Sequence, residues 1–479
     1  MSQHRPPRTP DKGTSPGTSR DKSRKGGRMA AQAKSATGDK PALPAWLATS
    51  MAPPARAVTL RVLKRCMQHG MDVQHALDSV LCDAPISSQD ASLATELVYG
   101  YLRSEMRVSW LLGHFLKDPA RLPQEALVAL GVAAYELVFL DRIPDYASVD
   151  WAVSHVRHRF GAGFARVSNA VLRNIARLGD DARTPEYFAQ HYADPLAALA
   201  VFYAMPRWVV DLWFSSYGEC NTVALLAASM GRPASGVRVN ALREGAAELR
   251  SQLVAMNGML AGHSGVGFVS GGFPSGLNEL VTEGRISRQG IASQETLQAL
   301  KPEMWEGPVW DACCGRGGKA CALLEQGVPV TVASDLNQPR LRGFVAELQR
   351  LGLPAPVVYR GSADTPAMRD VPRTILLDVP CSGLGTLSRR PDIKRKRDPG
   401  DLDKLVALQG RMVATAWAQL PVGGRLAYIT CTLNPAENEQ RIAALVAEHP
   451  EAHVEVEYAT PFDTPAREFF YAALVRKSS

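Results

Sequence analysis

Thr374-Ile-Leu-Leu-Asp378-Val-Pro380-Cys381-Ser-Gly-Leu-Gly385 decides the fold. A short apolar run ends on an acid, and a proline, a thiol and two glycines follow at once. Such a run between turn-formers reads as a strand buried on both faces, as in a parallel sheet. The break puts Asp378 and Cys381 at its carboxyl end, the edge where open α/β sheets bind their ligands. A second strand, Arg425-Leu-Ala-Tyr-Ile-Thr430, ends the same way and continues Cys431-Thr-Leu-Asn434-Pro. Two thiols therefore emerge at one edge. A lone cysteine in a long chain is most often a small buried hydrophobe; two at polar strand ends, one inside Asp-x-Pro-Cys-Ser-Gly, point to chemistry.

Outward from these strands the chain alternates strand and helix from about Leu277 to its end, the pattern of a mostly parallel α/β sheet. Seven strands are expected: Pro308 to Asp311, Val330 to Asp335, Pro356 to Arg360, Thr374 to Asp378, Arg425 to Thr430, Val454 to Tyr458 and Phe469 to Val475. Helices fall between most of them, including Leu341 to Leu351 and Leu402 to Leu420. The first strand runs into Asp311-Ala-Cys-Cys-Gly-Arg-Gly-Gly-Lys319. Its glycines let backbone approach a ligand, and the helix that follows offers unpaired N–H groups to an anion. Lys319 stands outside a phosphate-loop frame. The next strand ends on Asp335, where an acid typically accepts ribose hydroxyls. Loop plus acid means a nucleoside-bearing cofactor, and leaves a dinucleotide and an adenosylmethionine equally open.

Upstream, residues 41–183 show apolar positions at three- and four-residue spacing, broken at Pro85, Pro123 and Pro144, and read as an all-helical domain. Residues 184–276 read as a small mixed connector, with a helical stretch from Leu196 to Phe214 and a strand at Val237-Arg-Val-Asn240. Residues 277–479 form the α/β domain.

The chain has 479 residues and a formal charge of +7. Ten of its 54 Lys and Arg, against three of its 47 acids, fall in residues 1–40, leaving 44 of each sign elsewhere. The basic character thus belongs to a tail of disordered composition. No apolar run is long enough to span a membrane, and the tail has no secretory apolar core, so a cytoplasmic protein is expected. Eight cysteines without paired spacing exclude a disulfide framework. His155 and His158 lie one turn apart without further ligands, so no metal site is expected.

These motifs resemble the RNA cytosine-5 methyltransferases that carry Asp-x-Pro-Cys-Ser-Gly and Thr-Cys-[Ser/Thr]. The resemblance extends to Cys-x-x-x-Gly-Gly-Lys, to Pro391-Asp-Ile-Lys394 and to the Asn434–Asn438 run. The helical region is similar to the NusB-like domain of bacterial B-type small-subunit ribosomal RNA members, at Arg142-Ile-Pro and Asn169-Ala-Val-Leu-Arg173, and Val237 to Asn240 matches their connector. The resemblance implies a Rossmann-like class I methyltransferase domain with a mostly parallel seven-stranded sheet, behind a NusB-like domain that binds RNA. It implies S-adenosyl-L-methionine as cofactor and 16S ribosomal RNA as partner, for a monomer.

The chemistry accounts for two thiols. Cytosine C5 is a poor nucleophile, so a thiolate adds to C6 and the resulting enamine takes the methyl group. By resemblance Cys431 adds and Cys381 assists release of the product. A free thiol has a pKa near ~8.5, so the nucleophile needs cationic or hydrogen-bonding help. Lys319 is a candidate for that help or for holding the base, and Asp378 for meeting the cytosine amino edge. The expected cofactor set is Asp311, Cys313, Cys314, Gly315, Arg316, Gly317, Gly318, Lys319, Asp335, Ser362, Asp364 and Asp378. Arg389, Arg390, Lys394, Arg395, Lys396 and Arg397, just beyond Cys381, are expected to meet RNA phosphates. The chain departs from the family at Cys314 and Arg316 in the loop, at Gly290, at Arg395, at the residues leading to Phe469, and at Ser362, where relatives place an acid near the adenine. Two rivals remain: a DNA cytosine methyltransferase, whose Pro-Cys thiol attacks, and a ribosome-assembly protein that has lost activity. A generic small-molecule methyltransferase needs neither the paired cysteines nor the extra domain.

Overall fold

The computed structural model describes residues 44–269, 273, 274, 276–366 and 371–479. The basic tail read at residues 1–40 lies outside the described residues. The chain begins with α1 (Ala45–Ala48), α2 (Pro54–His69), α3 (Val73–Cys82), α4 (Ser88–Phe115), α5 (Gln124–Phe139), α6 (Asp145–Phe160), α7 (Ala162–Leu178) and α8 (Pro185–Ala189). Their starts follow local chemistry: the Asp72 carboxylate accepts from the N–H of Gln74 and His75, Ser87 caps α4, and Pro123 and Pro144 stand before α5 and α6. α5 is apolar almost all round and forms the centre of this bundle. Its one buried acid, Glu136, accepts from Arg56 at 2.9 Å, Ser148 at 2.6 Å and Trp151 at 3.0 Å. Those donors satisfy a charge that burial would otherwise penalise.

The helical stretch read from Leu196 to Phe214 divides into α9 (Pro195–Phe202) and α10 (Arg207–Met230). The break is at Ala204, with φ of 49°, just before Pro206, which cannot continue a helix from α9. A four-stranded antiparallel sheet follows, from β1 (Ser235–Val239), α11 (Ala246–Ala255), β2 (Met259–Ala261), β3 (Gly265–Phe268), α12 (Leu277–Thr282) and β4 (Ile286–Arg288), in the order β2-β3-β1-β4. Only one of these strands is evident in the sequence, because β2 and β4 are three residues long and β3 carries two glycines. The connector also extends past residue 276, where the sequence reading ends it, since β4 pairs with β1 beyond that point.

α13 (Ile291–Ala299) leads to the main sheet, built from β5 (Val309–Asp311), α14 (Gly318–Glu325), β6 (Val330–Asp335), α15 (Gln338–Leu351), β7 (Val357–Arg360), β8 (Thr374–Asp378), α16 (Ile393–Lys396), α17 (Pro399–Gln419), β9 (Arg425–Thr430), α18 (Glu439–Glu448), β10 (Ala452–Ala459) and β11 (Tyr471–Lys477). The strand order is β10-β11-β9-β8-β5-β6-β7. β7, β6, β5, β8 and β9 run parallel, and β11 inserts antiparallel between β9 and β10. This is the mostly parallel, Rossmann-like seven-stranded sheet expected from the strand pattern. Both faces are covered, one by α13, α14 and α15, the other by α17 and α18. That is why β8 and β9 are apolar without alternation.

A separate apolar cluster joins α9 and α10 to the segments that follow β8 and β9. Met205, Val209 and Trp213 pack with Leu384, Leu387, Leu433 and Phe469, and the Trp213 indole N–H donates to the Leu433 carbonyl at 3.0 Å. Fully burying each such side chain contributes roughly 1.5–3 kcal/mol. The cluster therefore fixes the loops that carry both cysteines.

Candidate active site

The carboxyl ends of β5, β8 and β9 bring Asp311, Lys319, Asp378, Cys381 and Cys431 together. The Cys381 and Cys431 sulfurs are 3.3 Å apart, and the Cys431 N–H meets the Cys381 sulfur at 3.4 Å. The contact makes one thiol a donor and the other an acceptor. The Cys431 thiol is pulled below its ordinary value by the hydrogen bond from Cys381, against burial and the Asp378 charge, with Lys319 and Arg390 helping. Cys381 is pushed well up by that same bond, by burial and by the nearby Glu437 charge. Lys319 and Arg390 favour the anion at Cys431, where Asp378 opposes it, and the Glu437 charge disfavours it at Cys381.

Lys319, 8% exposed, donates to Asp378 at 2.7 Å. Burial alone would lower its pKa, but the Asp378 charge and hydrogen bond, with Cys431 adding, hold it above the ordinary lysine value. Its ammonium also stands 5.7 Å from the Phe470 ring centre. Asp311, 1% exposed, accepts from the Cys313 N–H at 3.3 Å. Burial, then the Asp378 charge, push its carboxyl up to about 7, with Lys319 opposing.

The loop after β5 is shaped by backbone. Gly317 has φ of 82°, and a Cβ there would stand 1.9 Å from the Phe344 ring, so only glycine closes the turn onto α15. Cys313 and Cys314 turn their thiols into the two cores flanking the sheet, where burial keeps both protonated. These two residues enter the loop through their backbone: the Cys314 N–H donates to Ser334 and its carbonyl accepts from Gly317. Arg316 is exposed and lies along α15 beside Gly343. Asp335 holds the loop from the end of β6, accepting from the Gly315 N–H at 3.0 Å and the Asn337 N–H at 2.7 Å. Beyond β7, Ser362 donates to the Asp364 carboxylate, which also takes Arg411 at 3.4 Å. The Ser362 hydrogen bond leads in holding the Asp364 carboxyl below its usual range.

Two supports were not singled out as site residues in the sequence. Glu437 is fully buried and accepts four hydrogen bonds: from the Ser382 N–H at 2.8 Å, the Ser382 hydroxyl at 2.5 Å, Gln409 at 2.9 Å and Asn434 at 3.0 Å. Ser382 also meets the Thr432 hydroxyl at 2.5 Å. Since Ser382 follows Cys381 and Thr432 follows Cys431, this network fixes the spacing of the two thiols. The Asn434–Asn438 run was the visible signal. The second support is Arg238 of the small sheet, which donates to Gln289 at 2.6 Å and to the Gly318 carbonyl at 3.0 Å, steadying the start of α14.

The basic run differs from its expected role. Lys394 donates to the carbonyls of Ala204 at 2.8 Å and Arg103 at 2.5 Å, and burial leads in pulling its pKa down to about 7. Arg389 grips Glu468 at 2.7 and 2.8 Å and the Ala234 carbonyl at 2.9 Å. The Lys394 ammonium is satisfied inside the protein, which corrects the expectation that it meets RNA, while the half-exposed Arg389 is held by its bonds to Glu468 and Ala234. Arg390 pairs with Asp72 at 3.1 Å, Arg395 with Glu105, and Lys396 with Asp392 at 2.6 Å, while Arg397 reaches the Ser382 carbonyl at 3.4 Å. Three of these bonds, those of Lys394, Arg390 and Arg395, end on the helical bundle, so the run holds bundle and sheet together.

Two family models match: 16S rRNA methyltransferase RsmB/F over residues 297–467, and the NusB family over residues 53–177. Ribosomal RNA small subunit methyltransferase B of Pseudomonas putida is 32% identical over 385 residues, covering 78% of this chain and 85% of that protein. The probable ribosomal RNA small subunit methyltransferase B of Bacillus subtilis is 29% identical, covering 83% and 89%. Among solved structures, PH0851 superposes with a TM-score of 0.69 at 20% identity over 89% of this chain and 99% of its own. A methyltransferase homolog protein from Pyrococcus horikoshii gives 0.51 at 22% identity over 60% of this chain and all of its own. The structural likenesses carry the fold. The relatives, which match most of its length, show that the chain belongs to the ribosomal RNA small subunit methyltransferase B family.

Proposed function

We propose that the chain transfers a methyl group from S-adenosylmethionine to C5 of a cytosine in 16S ribosomal RNA, through a covalent bond between Cys431 and C6 of the base. The observation that carries this reading is the 3.3 Å thiol pair beside the Lys319–Asp378 ion pair. The cofactor suits the residues present: Asp311, Asp335 and Asp378 surround the loop with Lys319 as the buried cation among them, Arg316 lying exposed along α15, and the left-handed Gly315 faces open space. Such a surplus of carboxylates favours a cationic ligand. Asp311 and the loop N–H groups would hold its methionine end, and Asp335 its ribose, with Ser362 and Asp364 near the adenine. When bound, the cofactor supplies a sulfonium-activated methyl group.

The chain's own residues perform the rest. The Cys431 thiolate adds to C6, breaking the C5–C6 double bond and moving its electrons toward C5 and the ring. Asp378, held by Lys319, takes the exocyclic amine and steadies the enamine. After methylation a water molecule takes the C5 proton, the electrons of that C–H bond restore the C5–C6 double bond, and the C6–sulfur bond breaks, returning the thiolate. Cys381, its sulfur 3.3 Å from that of Cys431, assists that release by donating a hydrogen bond to the departing thiolate. The helical bundle, residues 41–183, would hold the RNA, and the target base must stand outside a stacked helix for the thiol to reach it.

RNA carrying 5-fluorocytosine tests the assignment, because fluorine at C5 blocks release. Wild type should form a covalent adduct, Cys431→Ala none, and Cys381→Ala should retain it. The opposite pattern would make Cys381 the nucleophile, as in the DNA enzymes. Bisulfite sequencing of 16S ribosomal RNA from a deletion strain should show one cytosine losing its methyl group, and no change there would refute the substrate.

A further inference from the structure

The conspicuous basic run of residues 389–397 is tied up in intramolecular bonds, but a quieter set of arginines is not. α6 and α7 leave between them a groove of about 750 Å³, lined by Arg157, Arg166, Arg173 and Arg177. All four are exposed. None has an ion-pair partner among the described residues, whereas nearby Arg159 and Arg183 pair with Glu125 and Asp141. Two are steadied by neutral groups instead: Arg173 donates to the Asn169 side chain at 3.1 Å and Arg177 to that of Asn174 at 2.8 Å. These bonds orient a guanidinium without cancelling its charge.

Helical geometry puts Arg166, Arg173 and Arg177 on one stripe, within about 40° of each other at about 100° per residue, and spreads them over about 16 Å. That length reaches more than one successive phosphate of a nucleic-acid backbone, each of which can take an arginine. Asp145 and Asp150 also line the groove, so the arginines outnumber the acids two to one. Tyr146, 77% exposed, stands in the same lining and offers a ring for a base to stack on. Asn169 and Arg173 belong to the Asn-Ala-Val-Leu-Arg stretch that the site between the cysteines leaves unused.

The geometry points to the α6–α7 groove as the seat of a flexible stretch of the substrate RNA backbone, held by phosphate contacts to the four arginines and by a base stacked on Tyr146. This rests on the proposed activity only for the identity of the RNA. Unpaired arginines with an aromatic ring fit a polyanion carrying bases better than an acidic peptide.

The test compares wild type, the fourfold variant R157Q/R166Q/R173Q/R177Q, the matching fourfold lysine variant, and Tyr146→Ala, in binding to 16S ribosomal RNA fragments over a range of salt. In the glutamine variant the slope of log affinity against log salt should fall by about 3, at roughly 0.7 for each single-strand phosphate that is no longer neutralised. KM for a long fragment should rise at least tenfold with kcat unchanged, and adduct formation with a short 5-fluorocytosine oligonucleotide should stay at the wild-type level. The lysine variant should keep the wild-type slope, which separates missing charge from impaired folding. Tyr146→Ala should weaken binding about tenfold. Hydrogen exchange in wild type should show RNA protecting residues 145–177. Unchanged affinity and slope in the glutamine variant, or no RNA binding by wild type, overturns the groove. RNA binding through the groove without cytosine methylation would refute the proposed activity alone; methylation of the long fragment at wild-type KM in the glutamine variant would refute the groove alone.

Discussion

Arg238 on β1 grips Glu325 at the end of α14 through two hydrogen bonds, of 2.6 and 3.0 Å, with side chains 4% and 1% exposed. The small sheet is thereby bound to the helix that begins at the cofactor loop. Removing one partner of a buried pair strands the other charge, so Arg238→Ala should lower stability by about 3–5 kcal/mol. Arg238→Met combined with Glu325→Leu should recover most of it. Denaturant unfolding midpoints check both.

Cys431 should react with iodoacetamide at neutral pH ahead of the other cysteines, because Cys381 donates to it and Lys319 and Arg390 favour its thiolate. In Cys381→Ala the donor is gone, and the half-point of the alkylation rate should move to higher pH. Cys381→Ser keeps a donor and should fall between. The rates are read by mass spectrometry of the peptide carrying residue 431.

Asp311 titrates near neutrality, its carboxyl pushed up to about 7 by burial and then by Asp378. A cationic ligand prefers the ionised form. Affinity for S-adenosylmethionine should therefore fall as pH drops through 7, and less so for S-adenosylhomocysteine, which lacks the sulfonium charge. Asp311→Asn should flatten the difference. Calorimetry at pH 6 and pH 8 would show it, about tenfold in affinity for each pH unit below the titration point.

Lys394 is the basic counterpart. Its folded pKa of about 7 lies below the ordinary 10.5, so between these values the unfolded chain binds more protons. Stability should rise with pH across that window, by on the order of a few kcal/mol, and be flat below it. Lys394→Met should remove the slope while leaving two carbonyls without their donor. Unfolding midpoints measured from pH 6 to 10 in both proteins decide it.

The main sheet was legible in the sequence because strands buried on both faces leave unbroken apolar runs, and because Pro380 and the glycines mark their ends. The frames around Cys381 and Cys431 were legible for the same reason: a strand end followed by a turn is a local signal. Long-range pairing was not. Nothing near Arg390 announces Asp72, 318 residues away, and nothing near Lys394 announces the Ala204 carbonyl. A charge run looks the same in sequence whether it faces a phosphate or a neighbouring helix. Glu437 carried a motif but no sign that four donors would converge on it, since those come from three separate segments.

β9, the strand that delivers Cys431, has β8 on one side and β11, residues Tyr471–Lys477, on the other. That second side is closed by residues later in the chain, so detaching β11 would bare the hydrogen-bonding edge of the strand that delivers Cys431 and offer it to a strand of another molecule.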